Sequence, residues 1–192
     1  MSVTRRLGLT AFGLGLAAAF AGTPYRHRRG ALDVGGAVRT ILDGDDHVGA
    51  AELATWIRAR KPGLRVIDVR APQAFAAGAI PTAENIPLDR LLSTAFDPAE
   101  TLVLYSEGGA HAGQAWVLLR AIGVANARFI AGGLVDWREE VMAPVLAPDA
   151  TAEDKAAFAE RAELSRYFGG QPQIGVRETG DDGATLSRRR GC

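Results

Sequence analysis

Three side chains that could do chemistry stand within six residues of one another: the hydroxyl of Ser106, the carboxylate of Glu107 and the imidazole of His111. An apolar run over residues 102–105 precedes them, and a pattern typical of a helix follows. The three side chains are therefore predicted to lie on a loop at the carboxyl end of a buried strand. Ligands of α/β proteins bind at that edge of the sheet.

A serine hydroxyl becomes a nucleophile only beside a general base. The histidine nearest to Ser106 in the sequence is His111, and the carboxylates that could orient it are Glu107 and Asp68. The residues around Ser106 do not form the Gly-x-Ser-x-Gly turn of hydrolases. We therefore favour a Ser106 that is hydrogen-bonded within the loop over a catalytic serine.

The elements around this loop alternate between strands and helices. Short apolar runs predict strands near residues 63–70, 101–106 and 127–133, with a shorter extended segment at 84–86. Helical patterns lie between and after them, and regular structure is expected to start near His47. This alternation predicts the α/β class, with a parallel sheet flanked by helices on both faces.

The amino-terminal segment, residues 1–22, has the pattern of an export signal. Arg5 and Arg6 precede an apolar run over residues 7–21, which ends in Ala-Phe-Ala, a typical cleavage pattern. The run is shorter than the roughly 20 residues of a membrane-spanning helix, although an uncleaved membrane anchor is the alternative. Either reading predicts an exported domain, periplasmic or anchored to the inner membrane of a bacterium-like cell.

The remaining organisation follows from composition. We expect a linker over residues 23–46, the α/β domain over 47–145, a helix within 146–168 and a disordered tail over 169–192. Trp116 and Trp137 are expected in the core.

The charges and the single cysteine exclude several classes of function. Lys and Arg number 22, as do Asp and Glu, so no net charge favours nucleic acid as a partner. The one cysteine, Cys192, is the last residue, which excludes an intramolecular disulfide and a cysteine-based zinc site. No metal site or cofactor is indicated.

Three segments resemble the signatures of the rhodanese-like domain, a family of the sulfurtransferase superfamily. The first signature is VIDVR with the later GAIPTAENIP, the second is LVLYS with its Gly-rich loop, and the third is GVANARFIAGGLVDW. Together they span residues 47–145 in the family's order. The resemblance implies a rhodanese-like parallel sheet and an active loop of six residues, here Ser106-Glu107-Gly108-Gly109-Ala110-His111.

This loop departs from the family pattern at two positions. Rhodaneses have a cysteine first and an arginine sixth, where this chain has Ser106 and His111. In the family the cysteine thiolate takes up sulfane sulfur, a step that a serine hydroxyl cannot perform reversibly. The resemblance further implies that Asp68 and Arg70 support the loop, and we expect an ion pair between them.

These observations predict an exported rhodanese-like domain without sulfurtransferase activity. It would act as a binding or scaffolding module for a protein partner of unknown identity or for a small sulfur-containing anion. An uncleaved amino-terminal segment would also associate it with the membrane. Two alternatives stay open. One is a sulfurtransferase or sulfur carrier that uses the thiol of Cys192, and the other is a small-anion sensor that uses the loop and His111.

Overall fold

A computed structural model describes residues 33–175 of the chain. Its centre is a parallel sheet of five strands: β1 (His47–Val48), β2 (Leu64–Asp68), β3 (Glu84–Asn85), β4 (Thr101–Tyr105) and β5 (Ala127–Ile130). Their order across the sheet is β1-β5-β4-β2-β3, and every neighbouring pair is parallel. The sheet is parallel and flanked by helices, so the predicted α/β class is confirmed.

Helices connect the strands and cover the sheet. They are α1 (Val34–Leu42), α2 (Ala50–Arg58), α3 (Pro72–Ala77), α4 (Leu88–Leu91), α5 (Ala110–Ala121), α6 (Gly133–Asp136) and α7 (Ala152–Tyr167), with a π-helical segment, Trp137–Met142, directly after α6. Local sequence sets several of their ends. Thr151 and Asp154 form a capping box at the start of α7, and Gly123 takes the left-handed conformation after α5.

Alternating side chains of the central strand β4 build two cores, one on each face of the sheet. Val103 and Tyr105 pack on the face covered by α2, the π-helical segment and α7. Leu102 and Leu104 pack on the opposite face, which α5 covers. All four side chains are fully buried, and burying one such side chain is worth about 1.5–3 kcal/mol. The same two cores contain the predicted core aromatics Trp116 and Trp137, each 3% exposed.

Regular structure starts earlier than the sequence pattern predicted. Helix α1 lies inside the expected linker, and the expected start near His47 was wrong. Asp33 stabilises the first turn of α1 because its carboxylate accepts a hydrogen bond from the amide of Gly36 at 2.9 Å. The helix was not predicted because Gly35 and Gly36 have a low helix propensity.

The predicted disordered tail is ordered over residues 169–175. There a short strand, β7 (Gln173–Ile174), pairs in parallel with β6 (Val145–Leu146). The amide of Gln171 also donates to the carbonyl of Met142 at 2.6 Å. These backbone hydrogen bonds hold a segment that its polar composition alone would leave disordered.

The predicted signal or anchor over residues 1–22, the rest of the tail and Cys192 all lie outside the described residues. Within residues 33–175, no helix has the length and apolar character needed to cross a bilayer.

Candidate functional site

The pairing of β2 with β4 brings two parts of the candidate site to one edge of the sheet. Asp68 lies opposite Tyr105 in register, and the amide of Val69 donates to the carbonyl of Tyr105 at 3.0 Å. The chain leaves both strands at this point. Consequently the segment that carries Arg70 and the loop that begins at Ser106 lie side by side.

Ser106 is buried beneath its own loop. Its residue is only 1% exposed, and its hydroxyl oxygen accepts hydrogen bonds from the amides of Gly109 at 3.2 Å and Ala112 at 3.4 Å. Ala112 belongs to the first turn of α5, so the oxygen lies at the positive end of the helix dipole. An atom in this position is surrounded by donors that stabilise negative charge.

Helix α6 holds the loop from the other side. The amides of Leu134 and Val135 donate to the carbonyls of Ser106 and Glu107 at 2.9 and 3.0 Å. These are amides of the first turn, which have no acceptor within their own helix. The contact requires Gly133, because a Cβ atom there would lie 2.3 Å from the carbonyl oxygen of Ser106, and its φ is +61°.

Asp68 and Arg70 form the ion pair that the sequence suggested. The Asp68 residue is fully buried, and Arg70 donates from Nη2 to Oδ2 at 2.7 Å and from Nε to both carboxylate oxygens at 3.0 and 3.1 Å. These hydrogen bonds raise the pKa of Arg70 despite its burial. The same guanidinium donates to the carbonyl of Gly78 at 2.6 Å, which connects β2 to the end of α3.

Glu107 connects the loop to two arginines. Arg70 Nη1 donates to Glu107 Oε2 at 2.7 Å, and Arg138 Nη1 donates to Glu107 Oε1. We call the three side chains Arg70, Glu107 and Arg138 the Glu107 bridge. Partial burial disfavours the ionised carboxylate, but the hydrogen bonds from the two arginines outweigh it and hold the pKa of Glu107 below its usual range. The bridge therefore stays ionised at neutral pH.

Ala110 and His111 are exposed in the first turn of α5, and Gly108 is exposed at the tip of the loop. Within the described residues, no hydrogen bond joins His111 to Ser106. The two donors to the Ser106 oxygen are backbone amides, which cannot act as general bases. This arrangement agrees with a serine that is fixed within the loop.

Residues beneath the loop support it through buried polar contacts. The hydroxyl of Tyr105 accepts a hydrogen bond from the amide of Ile80 at 3.1 Å. Burial raises the pKa of this hydroxyl, and the adjacent Asp68 raises it further, so Tyr105 stays protonated. The side chain of Asn85 donates to the carbonyls of Asp68 and Arg70 at 3.0 and 2.9 Å, which fixes the segment after β2.

A partly apolar groove of about 330 Å³ lies beside the Glu107 bridge. Its walls include Pro81 from the segment after α3, together with Trp137, Met142 and Phe168. Arg138 lines the same groove, so one side chain belongs to both the bridge and the groove. A molecule in this groove would therefore contact the residue that pairs with the loop carboxylate.

Sequence reasoning did not identify Arg138 or Tyr105 as part of the site. A signal for Arg138 did exist, because the strand β5 before it ends at the same sheet edge as β4. Residues that follow Gly132 and Gly133, among them Arg138, are therefore expected to lie near the loop that begins at Ser106. The buried role of Tyr105 had no such signal, since a tyrosine in an apolar strand is typical of any core.

This chain is similar to a family of known proteins over the region that builds the site. The rhodanese-like domain family matches residues 50–140. Human thiosulfate:glutathione sulfurtransferase is 35% identical over 92 residues, which cover 40% of this chain and 80% of that protein. An uncharacterized protein of Synechocystis sp. is 36% identical over 76 residues, covering 38% of this chain but only 42% of the cyanobacterial protein.

A solution structure of a rhodanese-like domain from Anabaena sp. shares 25% identity with this chain, with a TM-score of 0.46. That match covers 48% of this chain and 73% of the Anabaena domain. The human relative is matched over 80% of its length, and the family match over residues 50–140 contains the whole loop together with the Glu107 bridge. The chain belongs to the rhodanese-like domain family.

Proposed function

We propose that this protein is an exported rhodanese-like domain that lacks sulfurtransferase activity and acts as a binding module. One observation carries the proposal: the atom that receives the loop's amide donors is the hydroxyl oxygen of Ser106. By resemblance to the family, this is the position of the cysteine that takes up sulfur. Export is proposed from the sequence of residues 1–22 alone.

The chemistry of sulfur transfer explains why the atom matters. A cysteine thiolate attacks the sulfane sulfur of thiosulfate, a sulfur–sulfur bond forms, and sulfite leaves with the electron pair of the broken bond. Amide donors and a helix N-terminus lower a thiol pKa and so supply the thiolate. A serine hydroxyl ionises far above neutral pH and needs a base. The Ser106 oxygen is held by backbone amides, which cannot supply one.

The Glu107 bridge further weakens the loop as a site for anionic sulfur donors. Its carboxylate already accepts hydrogen bonds from Arg70 and Arg138, the cations beside the loop. An incoming thiosulfate must compete with this internal carboxylate and is repelled by its charge. We therefore favour a protein segment as the ligand, bound in the groove beside Arg138, over a small sulfur-containing anion.

The test measures thiocyanate formed from thiosulfate and cyanide by the purified full chain. We expect no rate above the protein-free background from the native protein, and a measurable rate from Ser106→Cys. Ser93→Cys is the matched control, because it adds a thiol at an exposed turn after α4. A native rate well above background would contradict the proposal.

The same assay distinguishes the second candidate, sulfur transfer through Cys192. This candidate is favoured by one observation, namely that Cys192 is the only thiol of the chain. If the native protein is active and Cys192→Ser abolishes the rate, the tail thiol carries the sulfur. If neither protein is active with cyanide or with a thiol acceptor, the carrier hypothesis is excluded.

A further inference from the structure

Helix α1 has an apolar stripe that faces solvent. Its four large apolar side chains are all exposed: Val34 by 59%, Val38 by 46%, Ile41 by 51% and Leu42 by 79%. The spacings of four, three and one residues place them on one side of the helix, across a sector of about 100°. The four make a continuous apolar surface rather than scattered exposed residues.

The small residues of α1 face the protein instead. Gly36, Ala37 and Thr40 are half-buried, and Ala37 packs against the core on the α5 side of the sheet. The hydroxyl of Thr40 donates a hydrogen bond to the carbonyl of Gly36 at 2.9 Å, so its hydrogen-bonding partner lies within the helix itself. This orientation is the reverse of an ordinary surface helix, which turns its large apolar side chains toward the core.

The sequence before α1 indicates what covers this stripe. The apolar run over residues 7–21 is the part of the chain best suited to a bilayer, and residues 22–32 connect it to Asp33. Eleven residues span at most about 40 Å. Of the described elements, α1 is the first in the chain after such an anchor, so the start of this helix would stay within about 40 Å of the membrane.

The charges of α1 are compatible with a phospholipid surface. The helix contains no acidic residue, and its one charged side chain is Arg39. Three arginines, at positions 26, 28 and 29, precede it. Of the three acidic residues that directly follow α1, Asp43 is exposed, Asp45 pairs with Arg128 at 3.2 Å, and Asp46 Oδ1 lies 2.8 Å from His47 Nδ1.

A second copy of the chain is a poorer occupant. A standard protein interface buries roughly 800 Å² on each partner and involves about 20–30 residues a side. The stripe offers four side chains on a helix of nine residues. A short amphipathic helix needs only to insert its apolar face among lipid headgroups, and it does so more readily when another segment already holds it there.

We propose that α1 lies in the plane of a phospholipid bilayer, with Val34, Val38, Ile41 and Leu42 inserted at the boundary between headgroups and acyl chains. The helix would hold the domain against the membrane by its α1 edge. This inference rests on the anchored form of the proposed exported protein. The helix would give the protein a second contact with the membrane, in addition to the one that residues 7–21 would make.

The test uses the full chain with Cys192→Ser and a single new cysteine labelled with a polarity-sensitive fluorophore. The test position is Val38→Cys, and the matched control is Val117→Cys, which is 50% exposed on α5. The probe is vesicles of phosphatidylcholine with phosphatidylglycerol. We expect the label at position 38 to shift to the blue and brighten by about twofold or more on insertion into the interface, and the label at 117 to stay unchanged.

Flotation of the same vesicles separates the possible failures. If the chain floats with the vesicles while the fluorescence of the label at position 38 stays that of a water-exposed dye, the α1 proposal is wrong. Anchoring through residues 7–21 would then still be supported. If the chain does not float, both are wrong. A blue shift that depends on protein concentration without vesicles means that a second copy covers the stripe, which also overturns the proposal. The thiocyanate assay is independent of all three outcomes.

Discussion

Arg70 donates hydrogen bonds to three acceptors on three different segments: the carboxylate of Asp68, the carbonyl of Gly78 and the carboxylate of Glu107. Planar guanidinium groups suit this task because their five donors point in fixed directions. The Asp68 carboxylate is fully buried, and Arg70 is the cation that donates hydrogen bonds to it. At the scale of residues, the order of the site therefore depends strongly on Arg70.

We predict that Arg70→Met lowers the free energy of unfolding by about 3 kcal/mol or more, because it leaves the Asp68 carboxylate buried without its cation. The matched control is Arg128→Met, which breaks an exposed pair with Asp45 and should cost about 1 kcal/mol or less. Urea unfolding at pH 7 measures both. Equal losses would mean that the Asp68–Arg70 pair has no special role in stability.

At the scale of elements, the loop is shaped by α6 as much as by the strand that precedes it. Two backbone amides of α6 bond to loop carbonyls, and the approach is so close that only glycine fits at position 133. Gly109 meets the same restriction, since its Cβ would lie 1.7 Å from the carbonyl oxygen of Ala131. These contacts involve no side chain of the loop, so they persist whether residue 106 is cysteine or serine.

The prediction at this scale compares two glycines that both have positive φ. Gly123→Ala, at φ +91° with open space around it, should cost about 1–2 kcal/mol for the unfavourable backbone conformation alone. Gly133→Ala adds overlap with the carbonyls of Ser106 and Glu107, so it should destabilise the protein more. Urea unfolding gives the two values. If Gly133→Ala costs no more than Gly123→Ala, α6 does not restrict the loop.

The strength of local sequence signals decided which elements were predictable. Strands β2, β4 and β5 were found because buried parallel strands are continuous apolar runs. The two-residue strands β1, β6 and β7 carry no periodicity and exist through pairing alone. The Asp68–Arg70 pair was expected from its place at the end of a strand and from the resemblance to the family, whereas Arg138 reaches Glu107 across 31 positions of sequence. Such contacts depend on the topology of the sheet.

At the scale of the whole molecule, the proposed absence of sulfur transfer rests on two separate features. Ser106 lacks the reactive sulfur, and the Glu107 bridge occupies the arginines beside the loop. The sheet, the loop backbone and the donors around position 106 are independent of both features. Replacing the two residues should therefore recover more activity than replacing either one.

We predict that Ser106→Cys/Glu107→Gln forms thiocyanate faster than Ser106→Cys, by about tenfold, which corresponds to about 1.4 kcal/mol. The neutral side chain no longer repels the anionic donor, and it releases the Nη1 groups of Arg70 and Arg138 from their ion pairs with Glu107. The gain should lie mainly in the KM for thiosulfate, since the freed arginines bind the donor. Ser106→Cys/Glu163→Gln is the control, because Glu163 is exposed on α7. If both double variants match Ser106→Cys, the Glu107 bridge does not restrict the loop, and the serine alone accounts for the proposed lack of activity.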